Sequence, residues 1–287
     1  MRGNPEAHQL VAPGTLDAAL RSLAEMPGQW TPIAGGTELM VAHAAGKLGA
    51  KRLLSLWGIP ELRFIQVHQN AIAIGACTTF RDMRMHEAIA TDLPLLAKAA
   101  TWIGSIANQN RATLAGNLVN GSPAADSSPA LLVYDAEIEL VSVNGSRRLP
   151  YADFHTGYKK NVLEQNELVY AIHVPLHFGS HRQYLRKVGT RRAMAISKVA
   201  LAGTALVENG VIRDVRIAAA SLAAFPARFR RAEDVVRGQS INAETIRAAQ
   251  AALLDEIAPI DDIRSTAEYR KAVAANLLEE FLQGAAQ

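Results

Sequence analysis

Two glycine-centred segments contain the residue types best suited to holding a charged ligand. They are Pro32-Ile33-Ala34-Gly35-Gly36-Thr37-Glu38-Leu39 and Thr113-Leu114-Ala115-Gly116-Asn117-Leu118-Val119-Asn120-Gly121-Ser122-Pro123. Each follows an apolar stretch and strings together residues whose backbone N–H groups can point into a concave space. Such a concavity holds phosphate oxygens without needing a lysine. Two of them, well separated along the chain, can clamp a diphosphate from opposite sides. Neither fits the usual nucleotide fingerprints, because the chain has no Gly-x-Gly-x-x-Gly and no Gly-x-x-x-x-Gly-Lys-Ser/Thr. Taken singly, Gly35-Gly36 also reads as a tight strand-to-helix turn.

Other chemistries find little support. The single cysteine, Cys77, cannot form an internal disulfide or supply the thiolates of an iron–sulfur cluster. The eight histidines include no His-Glu-x-x-His. His173 and His177 straddle Pro175 and read as loop or strand-edge residues rather than metal ligands. Ser122, Ser127 and Ser128 sit in no Gly-x-Ser-x-Gly elbow. Asp126 and Glu38 are candidates for a carboxylate pair, while the plainer reading makes Asp126 a turn or helix cap before Pro129–Val133.

The elements that must position these bends follow from patterning. Thr15 reads as the N-cap of an amphipathic helix through Leu16, Leu20, Leu23 and Met26, stopped by Pro27-Gly28. A strand at 30–34, the first glycine turn, a helix at 38–45 and a strand at 52–56 make a short βαβ-like lobe. Segments 64–67 and 71–74 flank a Gln69-Asn70 turn as a hairpin. Residues 79–89 read as a helix, and Asp92 as the cap of another with Pro94 in its first turn, running to about Ile106. Strands at 136–143 and 147–151 are joined at Asn144-Gly145, and 168–174 is a further strand. Residues 176–181 read as a linker. Beyond it, strands at 184–189, 198–208 and 211–221, the last two joined by Asn209-Gly210, precede helices at 228–237, 243–257 and 266–282. Ser265 and Glu268 have capping-box spacing for the last. The fold class is therefore α+β.

Four blocks in order then resemble a known family: Ile33-Ala-Gly-Gly-Thr-Glu-Leu39; Ile74-Gly-Ala-Cys-Thr-Thr-Phe80; Thr113-Leu-Ala-Gly-Asn117 leading into Ser122-Pro-Ala-Ala-Asp-Ser-Ser-Pro-Ala130; and Lys187-Val-Gly-Thr-Arg-Arg-Ala-Met-Ala-Ile196. From about Leu16 to Leu282 the chain resembles the FAD-binding medium subunit of the molybdenum hydroxylases, such as xanthine and carbon monoxide dehydrogenases. The resemblance implies a two-lobed PCMH-type FAD-binding domain over 1–177, with lobes of about 1–58 and 59–177. A C-terminal domain over 182–287 follows, with a small antiparallel sheet flanked by helices.

It also implies roles. Pro32, Ile33, Ala34, Gly35, Gly36, Thr37, Glu38 and Leu39 would wrap the FAD diphosphate, with further contacts from Thr113, Gly116 and Asn117. Asp126 matches an aspartate at the ribityl or nucleotide portion, Ile103 and Val119 match apolar cover for the isoalloxazine, and Leu168 and Lys187 match two later contacts. A cation such as Lys187 would stabilise anionic reduced flavin. Ala115 departs from the family, which has glycine there; its Cβ is tolerable only where φ stays negative.

The function so implied is an electron-transfer oxidoreductase subunit with no catalytic residues or metal of its own. A large molybdenum-cofactor subunit and a small subunit with two [2Fe–2S] clusters would complete a heterotrimer or its dimer. The acceptor would be NAD+, since Phe154-His-Thr-Gly-Tyr-Lys-Lys160 resembles the xanthine dehydrogenases, with quinone, oxygen or ferredoxin as alternatives. A stand-alone flavin oxidase of the vanillyl-alcohol-oxidase type and a flavin-less assembly module are the competing readings. Composition fits a soluble protein: 49% hydrophobic and 20% charged residues. A net charge of +3 with scattered arginines argues against a nucleic-acid partner. No apolar run reaches the roughly 20 residues of a membrane span, and Met1–Glu6 lacks the apolar core of a signal peptide. A cytoplasmic location is expected.

Overall fold

The computed structural model describes residues 3–191 and 193–286. A small parallel sheet opens the chain, built from β1 (Gln9–Val11), α1 (Leu16–Glu25), β2 (Trp30–Ile33), α2 (Leu39–Ala44) and β3 (Arg52–Ser55), with strand order β1-β3-β2. The Thr15 hydroxyl accepts the Ala18 N–H, as its position predicts, and α1 buries Ala19, Leu20 and Leu23. The β2–α2–β3 unit is the expected one. Strand β1 is unforeseen, because a three-residue strand with two exposed members has no periodicity to detect.

A second lobe begins with the hairpin β4 (Ile65–Val67) and β5 (Ala71–Gly75). Six short helices follow: α3 (Phe80–Met85), α4 (Glu87–Asp92), α5 (Pro94–Ala100), α6 (Ile106–Gln109), α7 (Leu114–Val119) and α8 (Ser128–Val133). Then come β6 (Glu137–Ser142), β7 (Gly145–Pro150), the small hairpin β8 (His155–Gly157) and β9 (Lys160–Asn161), and β10 (Leu168–Pro175). Strand β10 lies at the centre of an antiparallel sheet ordered β4-β5-β10-β6-β7.

Several local expectations need correction here. The helix expected over 79–89 breaks at His86, whose extended backbone separates α3 from α4. Asp92 ends α4 instead of capping α5; Leu93 takes the cap position without a side-chain bond, and α5 stops at Ala100. The hairpin after β6 turns at Val143-Asn144, since Ser142 pairs with Gly145, which holds φ +124°. His173 is no edge residue, because β10 is paired on both sides and its imidazole meets Glu139 at 2.7 Å.

The C-terminal domain is a four-stranded antiparallel sheet in chain order, β11 (Arg182–Val188), β12 (Val199–Glu208), β13 (Val211–Ala220) and β14 (Ala227–Arg228). Its helices are α9 (Arg230–Val236), α10 (Ala243–Glu256) and α11 (Ala267–Ala285). The Asn209-Gly210 turn forms as expected, with φ of +51° and +76°. Residues Val199–Ala205 of β12 are buried throughout. Their alternate faces enter different cores: Ala202 joins that of the N-terminal domain, while Leu201 and Ala205 join the one under α10 and α11. The α+β architecture is the one the sequence implied. The capping box at α11 is not: Thr266 caps it, accepting the Tyr269 N–H.

Residues 176–181 connect the two domains, with His177, Gly179 and Ser180 exposed, but the segment is anchored at Phe178 and His181. Phe178 is 2% exposed, leans on Tyr134 and lies under the Arg216 guanidinium at 4.8 Å, and His181 meets Asp214 at 3.0 Å. Beside them Asp135, at φ +50°, receives Arg216 and Arg228 from the C-terminal sheet, and Arg228 also pairs with buried Glu233 at 2.7 Å. Cys77 follows β5, is buried, and donates to the Leu56 carbonyl of the first lobe at 3.5 Å. Burial pushes its thiol up to about 12.

Candidate functional site

The first bend leaves β2 at Ile33, whose carbonyl accepts the Leu56 N–H at 2.9 Å. It crosses Gly35 and Gly36 before α2 begins. Gly35 has no space for a side chain: a Cβ there would stand 1.8 Å from the Arg111 carbonyl oxygen. Gly36 holds φ +75°, a conformation that L side chains disfavour. Among the described residues, none accepts from the backbone N–H of Gly35, Gly36, Thr37 or Glu38.

Arg111 and Ala112 lead directly into the second bend, so the two glycine segments meet. The Ala112 carbonyl accepts the Phe80 N–H at 3.1 Å, and the Leu114 N–H donates to the Thr78 carbonyl at 3.0 Å. The block at 74–80 thus serves as the shelf on which the second bend rests. Thr113 caps α7, its hydroxyl oxygen accepting the Gly116 N–H at 3.1 Å. Ala115 lies within α7 with its side chain in the core and without positive φ, so the methyl costs the bend no strain. Gly116 and Val119 face outward. Asn117 accepts from the Ser127 hydroxyl at 2.7 Å, tying this bend to the segment bearing Asp126.

Asp126 is neither a helix cap nor the partner of Glu38. Ser127 holds the cap position of α8, and Glu38 pairs with Lys159 at 3.6 Å. Asp126 instead meets Lys187 of β11 at 2.6 Å, with the two side chains only 8% and 10% exposed. The Ser197 hydroxyl donates to its other oxygen. Burial pushes the Asp126 carboxyl above the ordinary range, against the pull of the Lys187 ammonium and the Ser197 hydroxyl. Ile103 is half-buried in the turn before α6, and Leu168 is sealed in the core opposite Val141.

The β8–β9 hairpin borders the bends. A Cβ on Gly121 would lie 3.0 Å from the Lys159 Cα, and the Asn161 amide donates to the Val119 carbonyl at 3.4 Å. The hairpin tip presents exposed Tyr158 and Lys159.

Residues 6–177 match the family described as FAD binding domain in molybdopterin dehydrogenase, and residues 184–285 match the CO dehydrogenase flavoprotein C-terminal domain. The chain is a member of the FAD-binding subunit family of the molybdenum hydroxylases. The xanthine dehydrogenase FAD-binding subunit of Escherichia coli O157:H7 is 31% identical, over 94% of this chain and 93% of that one. The carbon monoxide dehydrogenase medium chain of Hydrogenophaga pseudoflava is 27% identical over 98% of both. A solved structure of the carbon monoxide dehydrogenase from that organism, lacking the Mo-pyranopterin moiety, superposes with a TM-score of 0.93, 27% identity and 98% of each chain covered. This FAD-binding subunit is thus a flavoprotein component of a dehydrogenase.

The site suits FAD on its own terms. Free N–H donors beside a glycine that no Cβ can occupy fit a diphosphate, whose oxygens accept and need close backbone approach. A buried carboxylate offers acceptors to hydroxyl groups, and Lys187 adds a cation. Ser197 and Lys159 carry no sequence signature that marks them for this site. A lone serine has none, and Lys159 falls within the 154–160 block, whose signal is its resemblance to the xanthine dehydrogenases. Arg192 of the fourth block lies outside the described residues.

Proposed function

We propose that this subunit holds FAD between the two glycine bends, receives electrons from a small [2Fe–2S] subunit and passes them to NAD+. A large subunit with the molybdenum cofactor would oxidise the substrate, the three chains forming a heterotrimer or its dimer. The meeting of Gly35 with Arg111 carries this reading, because it puts unpaired N–H groups beside the cap of α7. FAD supplies the exchange between single electrons and hydride. The protein binds and orients: Pro32 to Leu39 with Thr113, Gly116 and Asn117 at the diphosphate, Asp126 accepting from cofactor hydroxyls, and Ile103 and Val119 covering the ring. Leu168 bears from the sheet interior, and Lys187 favours negative charge on the reduced form. The Tyr158-Lys159 tip is poised to receive an anionic dinucleotide acceptor. A cytoplasmic location accords with one buried thiol and no disulfide.

The purified chain should be yellow and release FAD, not FMN, on denaturation. Added anaerobically, NADH should bleach it within seconds. If dithionite bleaches the flavin and excess NADH does not, NAD+ is the wrong acceptor. Turnover of substrate by the isolated chain would point to a free-standing oxidase instead.

A further inference from the structure

We propose that Ser197 and Ser221 are positioning residues that set the Asp126 carboxylate toward the flavin, so that the C-terminal domain completes the cofactor site. This rests on the reading above that Asp126 and Lys187 face bound FAD. Lys187 pairs in register with Ala200, and the Lys198 N–H bonds the Val188 carbonyl at 2.8 Å, so Ser197, in the segment leading into β12, lies beside the end of β11 that carries Lys187. The C-terminal domain thereby delivers an ammonium from β11 and a hydroxyl from the segment before β12 to the two oxygens of a single carboxylate from the other domain. An ionised carboxylate has about four acceptor sites, so about two remain for a ligand. Without Ser197, Oδ1 would lose its donor and the carboxylate could turn about the oxygen that Lys187 holds.

Ser197 is itself held. It is 1% exposed, and its carbonyl accepts the Ser221 hydroxyl at 2.9 Å. The Ser221 N–H donates to the Pro123 carbonyl at 2.7 Å, on the same loop as Asp126. Its own carbonyl accepts from Arg270 at 3.3 Å, and that buried guanidinium also takes the Lys198 carbonyl and Asp262, both at 2.8 Å. All three polar groups of Ser221 therefore join different segments. Ser221 does this at φ +68°, a strained conformation for a non-glycine residue. Such strain persists only where the surroundings over-determine it, and it clusters at ligand sites.

A double-mutant cycle on the full chain tests the idea, reading FAD dissociation by flavin fluorescence together with the flavin midpoint potential. Ser197→Ala should weaken FAD binding about tenfold and shift the potential, as loss of one hydrogen bond to a charged group predicts. In an Asp126→Ala background the same change should add less than about twofold, and Ser197→Thr should restore most of the affinity. Ser221→Gly relieves the backbone while deleting the hydroxyl, so it should melt no lower than the parent yet bind FAD less tightly. Additive losses, or parental affinity and potential in Ser197→Ala, overturn the proposal. A parent chain that takes up no FAD overturns the reading of the site, and this inference with it.

Discussion

Gly35→Ala should cost about 3 kcal/mol of stability and leave the purified chain colourless. The added methyl would stand 1.8 Å from the Arg111 carbonyl oxygen, and both partners are backbone, so no side chain can swing aside. Either the bend moves off α7 or the second bend moves with it, and both responses spread the N–H donors apart. Gly36 makes a useful contrast. A Cβ there meets only side chains, the flexible Met40 at 3.3 Å and Ile33 at 3.5 Å, so Gly36→Ala should carry chiefly the left-handed penalty of about 1–2 kcal/mol. Thermal unfolding and the ratio of flavin to protein absorbance measure both effects. Full flavin occupancy in Gly35→Ala would show that the meeting of the bends does not hold the cofactor.

Asp135→Ala should be the most damaging change away from that site, destabilising the chain by about 3 kcal/mol. Arg216 and Arg228 converge on this carboxylate with side chains 14% and 13% exposed, and its removal leaves two largely buried cations short of a counterion. The figure belongs at the low end for broken buried pairs because Asp135 is itself 34% exposed. Asp214 and Glu233 still partner one arginine each, which also limits the loss. Because the cluster joins α8 to the C-terminal sheet, the two domains should lose cooperativity. Denaturant unfolding followed separately by flavin release and far-ultraviolet circular dichroism should then give two midpoints where the parent gives one. Coincident transitions at parental stability would exclude such a clamp.

How much the sequence disclosed depended on the range of the interaction concerned. Asn209-Gly210, Thr15 and the alternating strands were legible because a turn, a cap or a pleat is decided by residues a few positions apart. The α+β class followed from those local signals. Four ordered blocks sufficed to identify the flavin-binding chemistry. Asp126 does sit in the turn the sequence allows before α8, but neither a cap nor a pairing with Glu38 forms, because its partner, Lys187, lies on a strand of another domain. Residues 176–181 read as a linker, and what the sequence leaves out is its anchoring: Phe178 and His181 become fixed only when Tyr134, Arg216 and Asp214 arrive from distant segments. The break at His86 and the early end of α5 accompany mutual packing of α3, α4 and α5, which no single helical period encodes.

Cys77 turns the seam between the two N-terminal lobes into a place where opening can be timed. Its thiol is the chain's sole alkylatable sulfhydryl, is buried with its S–H on the Leu56 carbonyl, and holds its proton far above neutral pH. Iodoacetamide can therefore react only when the lobes part and the thiolate forms. Labelling at saturating reagent becomes a clock for that separation, and FAD bound as proposed, between bends from both lobes, should slow it.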